Sequence, residues 1–468
     1  AAHPILADYR FFIGEEAEKG RHMLDTSAEE LLGRMQGCAG GAWTDLRGYL
    51  TSFAHAPMNG KEYTLTQLRG FIHSPDKALR KAAFEAELAC SKSIEGGMAF
   101  ALNGVKEHMN LMAELRGYGD VMTMTMAQCR MQPETLKALW GAVEDALPKF
   151  HAYLCRKARV LGYEKGLPWY ELCAGLGESG QRFDTEGARA YLVELLGAFA
   201  PDLGEMVDRA FREHWIDFYP RPGKSGGAFC RNLSNQKQSR VLTNFEGNLD
   251  GVVTIAHELG HAYHGHLIQD HRPLNRTYTM PVAETASNFN ETLVMNAAIA
   301  RARGQEKLAL LEQRLQDYTQ VICDIYSRFL FEREVFEERK GGFLFPERLC
   351  RIMAETQKTA YGPGLDPACL HPYMWVNKVH YYYTTLSFYN FPYAFGALLA
   401  TGLYARYQKE GAPFVEKYRA FLRSTTVSTV EEAAAVAGID VTQKAFWAES
   451  LAMVAGQIDE FLLMTEDA

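Results

Sequence analysis

Apolar side chains recur at three- and four-residue spacing along most of the chain, with charged positions between them, and that period predicts helices. The longest run covers residues 76–116, from DKALRKAAFEAELAC to EHMNLMAEL. A second, PETLKALWGAVEDALPKFHAYLCRKARVLG, opens on Pro133, whose missing N–H suits a first helical turn. EERKGGFLFPERLCRIMAETQKTAYG and VEEAAAVAGI continue the same period. Strand-like stretches are scarce. The best is SRVLTNFEG (239–247), preceded by GGAFCRNLS, and together they predict a short antiparallel sheet. Gly- and Pro-rich loops punctuate the chain at 219–229 and 361–367. A change of character near GLGESGQRFD (175–184) divides it into a helical lobe, 1–185, and a second lobe, 186–468. The fold class expected is therefore mainly α, with a small antiparallel β-sheet.

Composition narrows the class without naming a chemistry. The 468 residues are 47% hydrophobic and 23% charged, as in an ordinary globular protein. A net charge of -8 argues against nucleic acid or an anionic membrane as partner, since both call for a basic face. No apolar run is long enough to span a bilayer. The nine cysteines are scattered, odd in number and free of CxxC pairs. That excludes a disulfide framework or a thiolate zinc site as the leading reading and favours a reducing, cytoplasmic compartment. The chain starts Ala1-Ala2-His3, without methionine. Oligomeric state has no signature here.

The chemistry concentrates in TIAHELGHAYHGHL, Thr254–Leu267, with four histidines and a glutamate. His257 and His261 are four apart, so a helix puts both imidazoles on one face, one turn apart, able to share a metal. Glu258 lies about 100° round from His257, where a carboxylate can take a proton from a metal-activated water. His264 and Leu267 stand where a metzincin needs Gly and His, which excludes that class. His264 shares nearly the same face as His257, but seven residues of helix rise about 10 Å, too far for one ion with bonds of about 2 Å. His264 is expected to pack behind the site and His266 to face water.

A third ligand is sought in MPVAETASNFNETLVMNAAIARARG, which reads as one helix after Pro281. Glu284 and Glu291, seven apart, fall on nearly one stripe among apolar neighbours, where a buried carboxylate needs a cation or donors. Glu284 is assigned to the metal and Glu291 to orienting a ligand from behind.

These residues bring a family into view. LDGVVTIAHELGHAYHGHL, PVAETASNFNET and HYYYTTLSFYNFPYAFG, in that order and at those separations, resemble the oligoendopeptidase F family, zinc metallopeptidases related to thimet oligopeptidase. The likeness extends to PILADYRFFIGEEAEKGRHMLDTSAEELLGRM near the start and so covers nearly the whole chain. It implies one Zn2+ held by His257, His261 and Glu284, with Glu258 as general base. It also implies a mostly helical, zincin-type fold with a deep channel, and cleavage of short peptides. Members of the family usually carry a further N-terminal lobe, so this chain reads as either a short relative or a fragment.

In the aromatic block, Pro392 marks a helix N-terminus, with Tyr389 in the entering loop and Tyr393 in the first turn. Phenols there sit in positive potential and can donate to an oxyanion. The resemblance implies that His380, Tyr389 and Tyr393 bind substrate and stabilise the intermediate, with Tyr383 as an alternative. Tyr381 and Tyr382 read as core packing. The expected substrate path is an extended peptide along Val241–Glu246, held by main-chain hydrogen bonds. Two rivals are an exopeptidase and a peptide-binding relative with a purely structural metal. An exopeptidase needs a charged subsite for a chain end, and the candidates Arg231 and Lys378 read as surface charges.

Overall fold

The computed structural model describes residues 4–177 and 180–466. Helices dominate it. A 39-residue helix, α1 (Lys77–Leu115), begins where the Asp76 carboxylate accepts the Ala78 and Leu79 N–H groups. The next long helix, α2 (Pro133–Val160), carries Pro133 in its first turn as the sequence predicts. The histidine helix is α3 (Leu249–Ile268), capped by Asn248, whose side chain accepts the Gly251 N–H at 2.9 Å. Four further helices matter for the site: α4 (Thr285–Arg301), α5 (Ile325–Arg339), α6 (Phe391–Glu410) and α7 (Lys444–Met464).

One apolar core runs from Phe84 in α1 to Phe461 in α7. A smaller cluster lies under a hairpin of β1 (His55–Met58) and β2 (Lys61–Thr64), strands too short and polar for the sequence pattern to reveal. Buried ion pairs cross between helices. Lys106 of α1 meets Glu332 of α5 at 2.6 Å, and Lys157 of α2 meets Glu312 at 2.6 Å, all four side chains at most 1% exposed. Such pairs add little net stability, but losing one partner strands a buried charge.

The sheet beside α3 differs from expectation in two ways. It is mixed: β3 (Ile216–Asp217) runs parallel to β5 (Gln238–Leu242), while β4 (Phe229–Leu233) pairs with β5 antiparallel. The order β3-β5-β4 makes β5 the central strand. The first part of the Val241–Glu246 path, up to Leu242, is therefore not open to a peptide. Val241 and Leu242 are paired on both sides, and the Thr243 and Phe245 N–H groups donate to Asp217 and Phe218. The strand with an unpaired edge, lying against α3, is β4.

Candidate active site

Close packing of α3 on α4 assembles the site. A Cβ on Gly260 would stand 2.5 Å from the Ala286 carbonyl oxygen and the Ser287 Cα, so only glycine lets the two backbones approach this closely. The Asn290 amide of α4 donates to the Ala256 carbonyl at 3.0 Å and fixes the register. Pro281 does not open one continuous helix. A short turn, Met280–Ala283, ends at Glu284, and α4 starts afresh at Thr285. Glu284 thus stands at a break between helices. Gly396 of α6 packs against it, with no room to spare for a side chain.

At that break the three expected ligands meet. The His257 Nε2 lies 3.3 Å and the His261 Nε2 3.4 Å from the Glu284 Oε2, and the three ligand atoms all lie within 4.8 Å of one another. Ligand atoms about 2.0–2.2 Å from a tetrahedral ion stand about 3.3–3.5 Å apart, so both separations to Glu284 suit zinc. Two imidazoles and one carboxylate are also a donor set that leaves a position open. These side chains keep about a fifth of their surface accessible.

The charges of these side chains depend strongly on one another. Burial disfavours a charged His257, yet Glu284 and Glu291 outweigh it and raise its pKa to about 10. Burial likewise opposes the charge on Glu284, but both histidines hold its carboxyl well below the usual range. Glu291 accepts from the His257 Nδ1 at 2.7 Å, which turns Nε2 toward the ligand cluster. The Ser287 hydroxyl donates to the Glu284 Oε2 at 2.9 Å, and the Asn232 amide of β4 donates to the His261 carbonyl at 3.2 Å. Glu258 is buried, and its Oε2 has no hydrogen-bond partner among the described residues. Burial raises its pKa despite the neighbouring histidines, as suits a base facing a reacting proton rather than a structural ion pair.

The remaining histidines of the motif separate. His264 is fully buried, stacked on Tyr278 at 4.1 Å, with Nε2 2.9 Å from the Thr425 hydroxyl. Burial depresses its pKa to about 3. His266 is half-buried rather than solvated, its Nδ1 3.1 Å from the Gln269 amide.

The aromatic block gathers on the approach to α6. His380 stacks on Tyr389 (centroids 4.8 Å apart, planes at 12°), with Tyr383 at 5.4 Å and Tyr393 at 6.0 Å. The Tyr389 hydroxyl reaches Met280, the first residue of the turn that ends at Glu284, which places the block beside the ligand cluster. Burial pushes the Tyr393 hydroxyl up to about 12, so it remains a donor at neutral pH. Tyr381 and Tyr382 are completely buried, as read from the sequence. Phe388, just before Tyr389, holds a left-handed φ of 55°. Such a conformation costs on the order of 1–3 kcal/mol, and the packing of Phe388 on Phe329 and Phe336 holds it.

Sequence reasoning missed what orients His380. Its Nδ1 lies 3.0 Å from the Asn390 Oδ1, which also accepts from Arg328 at 3.1 Å. Arg328 in turn is ion-paired with Asp324. With the amide oxygen fixed by the guanidinium, Nδ1 carries the proton toward Asn390 and Nε2 points away. The signal is not periodic and spans more than sixty residues, so no local pattern exposes it.

Comparison with known proteins places this geometry. Oligopeptidase PepF of Bacillus subtilis (strain 168) is 24% identical over 388 residues, 82% of this chain and 57% of the relative. Group B oligopeptidase PepB of Streptococcus agalactiae is 26% identical over 448 residues, 94% of this chain and 74% of the relative. The chain thus spans a little over half the length of the first and three quarters of the second. The fold is shared with a crystal structure of oligoendopeptidase-F from Enterococcus faecium, with a TM-score of 0.78 at 21% identity over 100% of this chain and 80% of that one. Peptidase family M3 matches residues 199–453, more than half of the chain and the segment holding α3, Glu284 and the aromatic block, and the chain belongs to that family.

Proposed function

We propose that the protein is a zinc-dependent endopeptidase acting on short peptides, with one Zn2+ per chain held by His257, His261 and Glu284. The observation that carries this is the convergence of those three ligands next to the buried carboxylate of Glu258, whose Oε2 has no hydrogen-bond partner among the described residues. When bound, zinc supplies Lewis-acid polarisation of a carbonyl and a water made acidic near neutral pH. Glu258 takes the proton of the attacking water and delivers it to the departing amine. Tyr393, Tyr389 and His380 donate to the oxyanion of the tetrahedral intermediate. Asn390 and Arg328 hold His380 in place for that contact. The peptide lies extended against the open edge of β4, rather than along the doubly paired Val241–Leu242, inside a channel walled by the lobes 1–185 and 186–468.

The substrate is a peptide rather than nucleic acid or an anionic membrane, in keeping with the net charge of -8. No helix among the described residues is long and apolar enough to cross a membrane. Nine unpaired cysteines support the cytoplasm as the compartment. The test is cleavage of internally quenched short peptides with and without chelator, with the cut positions mapped. Internal cuts, lost with chelator and restored by zinc, are expected. Undiminished cleavage in chelator overturns the proposal, and cuts confined to one residue from an end favour an exopeptidase.

A further inference from the structure

Lys378, read as a surface charge from the sequence, instead lines a cavity of about 280 Å³. That volume is near the lower end for ligand pockets, about 300–1,000 Å³, and suits the end of a peptide better than a chain passing through. Charged walls include Arg69, Arg328 and Lys378, facing Glu87, Asp324 and Asp317, with aromatic surface from Trp169 and Tyr361 between them.

Counter-charges can be assigned one by one. Glu87 accepts from the Asn377 amide at 2.6 Å and lies 3.1 Å from the His371 Nε2 and 3.6 Å from the Arg69 Nε. Asp324 is taken by Arg328. Burial pushes the Asp317 carboxyl up to about 7, so it is only partly ionised at neutral pH. Lys378 makes no ion pair and no side-chain hydrogen bond with the described residues, and retains accessible surface. Burial and the positive field of Arg328 and Arg69 lower its pKa to about 7, against the opposing pull of the Asp324 and Glu87 carboxylates. Asp324 is engaged by Arg328 and Glu87 by Asn377 and His371, so neither carboxylate pairs directly with Lys378, and a bound anion would supply that contact.

The cavity also has a fixed place relative to the chemistry. Lys378 is two residues from His380, and Arg328 belongs both to the cavity wall and to the hydrogen-bonded chain through Asn390 to His380.

We propose that this cavity receives the C-terminal α-carboxylate of the substrate peptide, with the Lys378 ammonium as its counter-ion and the Arg69 guanidinium as a second donor. The inference rests on the peptidase reading and adds to it a recognised chain end. A side-chain carboxylate near the C-terminus offers the same chemistry, so the test separates the two sources.

The experiment uses the full zinc-loaded chain and three quenched peptides that differ only at the C-terminus: the free acid, the C-terminal amide, and an amide with glutamate as its last residue. Within each enzyme the readout is the ratio of kcat/KM for acid over amide. The intact enzyme is expected to favour the acid roughly tenfold or more, the range of a hydrogen bond to a charged group. Lys378→Met is expected to bring the ratio close to one, Lys378→Arg to retain part of it, and Arg69→Met, on the separate helix Leu65–Gly70, to lower it. Equal cleavage of acid and amide by the intact enzyme overturns the inference, as does a preference that survives both methionine variants. Full recovery by the glutamate-ended amide overturns the assignment to the chain end. Because all three peptides report cleavage, a failure here with the amide still cut leaves the peptidase reading intact, whereas absence of any cutting counts against that reading instead.

Discussion

Single side chains in and against the histidine helix have sharply different surroundings, and two predictions follow from them. The 2.7 Å contact of Glu291 with the His257 Nδ1 fixes the ring. Glu291→Gln is expected to weaken zinc binding about 10–100-fold, the usual effect of losing such a partner, as read by competition with a calibrated chelator. Unchanged affinity would remove Glu291 from the site. His264 titrates near 3 because it is buried, well below its ordinary 6.5. Between those values the unfolded chain binds a proton that the folded chain refuses, so stability is present above pH 6.5 and falls as pH drops. The slope from this residue is about 1.4 kcal/mol per pH unit. His264→Gln is expected to flatten the acid limb of denaturant-measured stability by about that slope, and an identical limb would contradict it. The sequence distinguished His257, His261 and Glu258 from His264 because helical spacing alone decides which can share an ion. It did not place His266, since whether a histidine faces solvent depends on which segments cover it.

At the scale of elements, the site depends on two helices lying almost backbone to backbone. Gly260→Ala inserts a methyl group 2.5 Å from the backbone of Ala286 and Ser287. Overpacking of this kind costs about 1–3 kcal/mol. The displaced element carries Glu284, so the loss of stability is expected to be accompanied by weaker zinc binding, with thermal stability less responsive to added zinc. A variant that is destabilised yet binds zinc as before would separate the contact from the site. Helical period revealed α1, α2 and α3, because each buries a stripe of regular spacing. It ran Glu284 into a continuous helix, because the break there is set by packing against Gly396 rather than by a local breaker. The strand order was likewise hidden. A two-residue β3 has no pattern of its own, yet it closes one side of β5 and leaves β4 as the open edge.

Across the whole molecule, the candidate site is a junction of distant segments: α3, the Glu284 break, the aromatic block and the Asp324–Arg328 pair. The helix bearing Arg328, α5, is joined to α1 by the buried Lys106–Glu332 pair. Local motifs showed the ligands and the aromatic block, since each is compact in sequence. Lys378 and Asn390 were not legible, because what matters about them is a partner gained or withheld by residues far along the chain. The central claim is that this junction hydrolyses peptides with Glu258 as the base. Glu258→Gln keeps shape and ligands while removing the basic oxygen, so the direct measurement is its kcat/KM on a quenched peptide together with its zinc content. A fall of about 10²–10⁴-fold with zinc still at one per chain is predicted. Cleavage at the original rate by zinc-loaded Glu258→Gln would contradict the account.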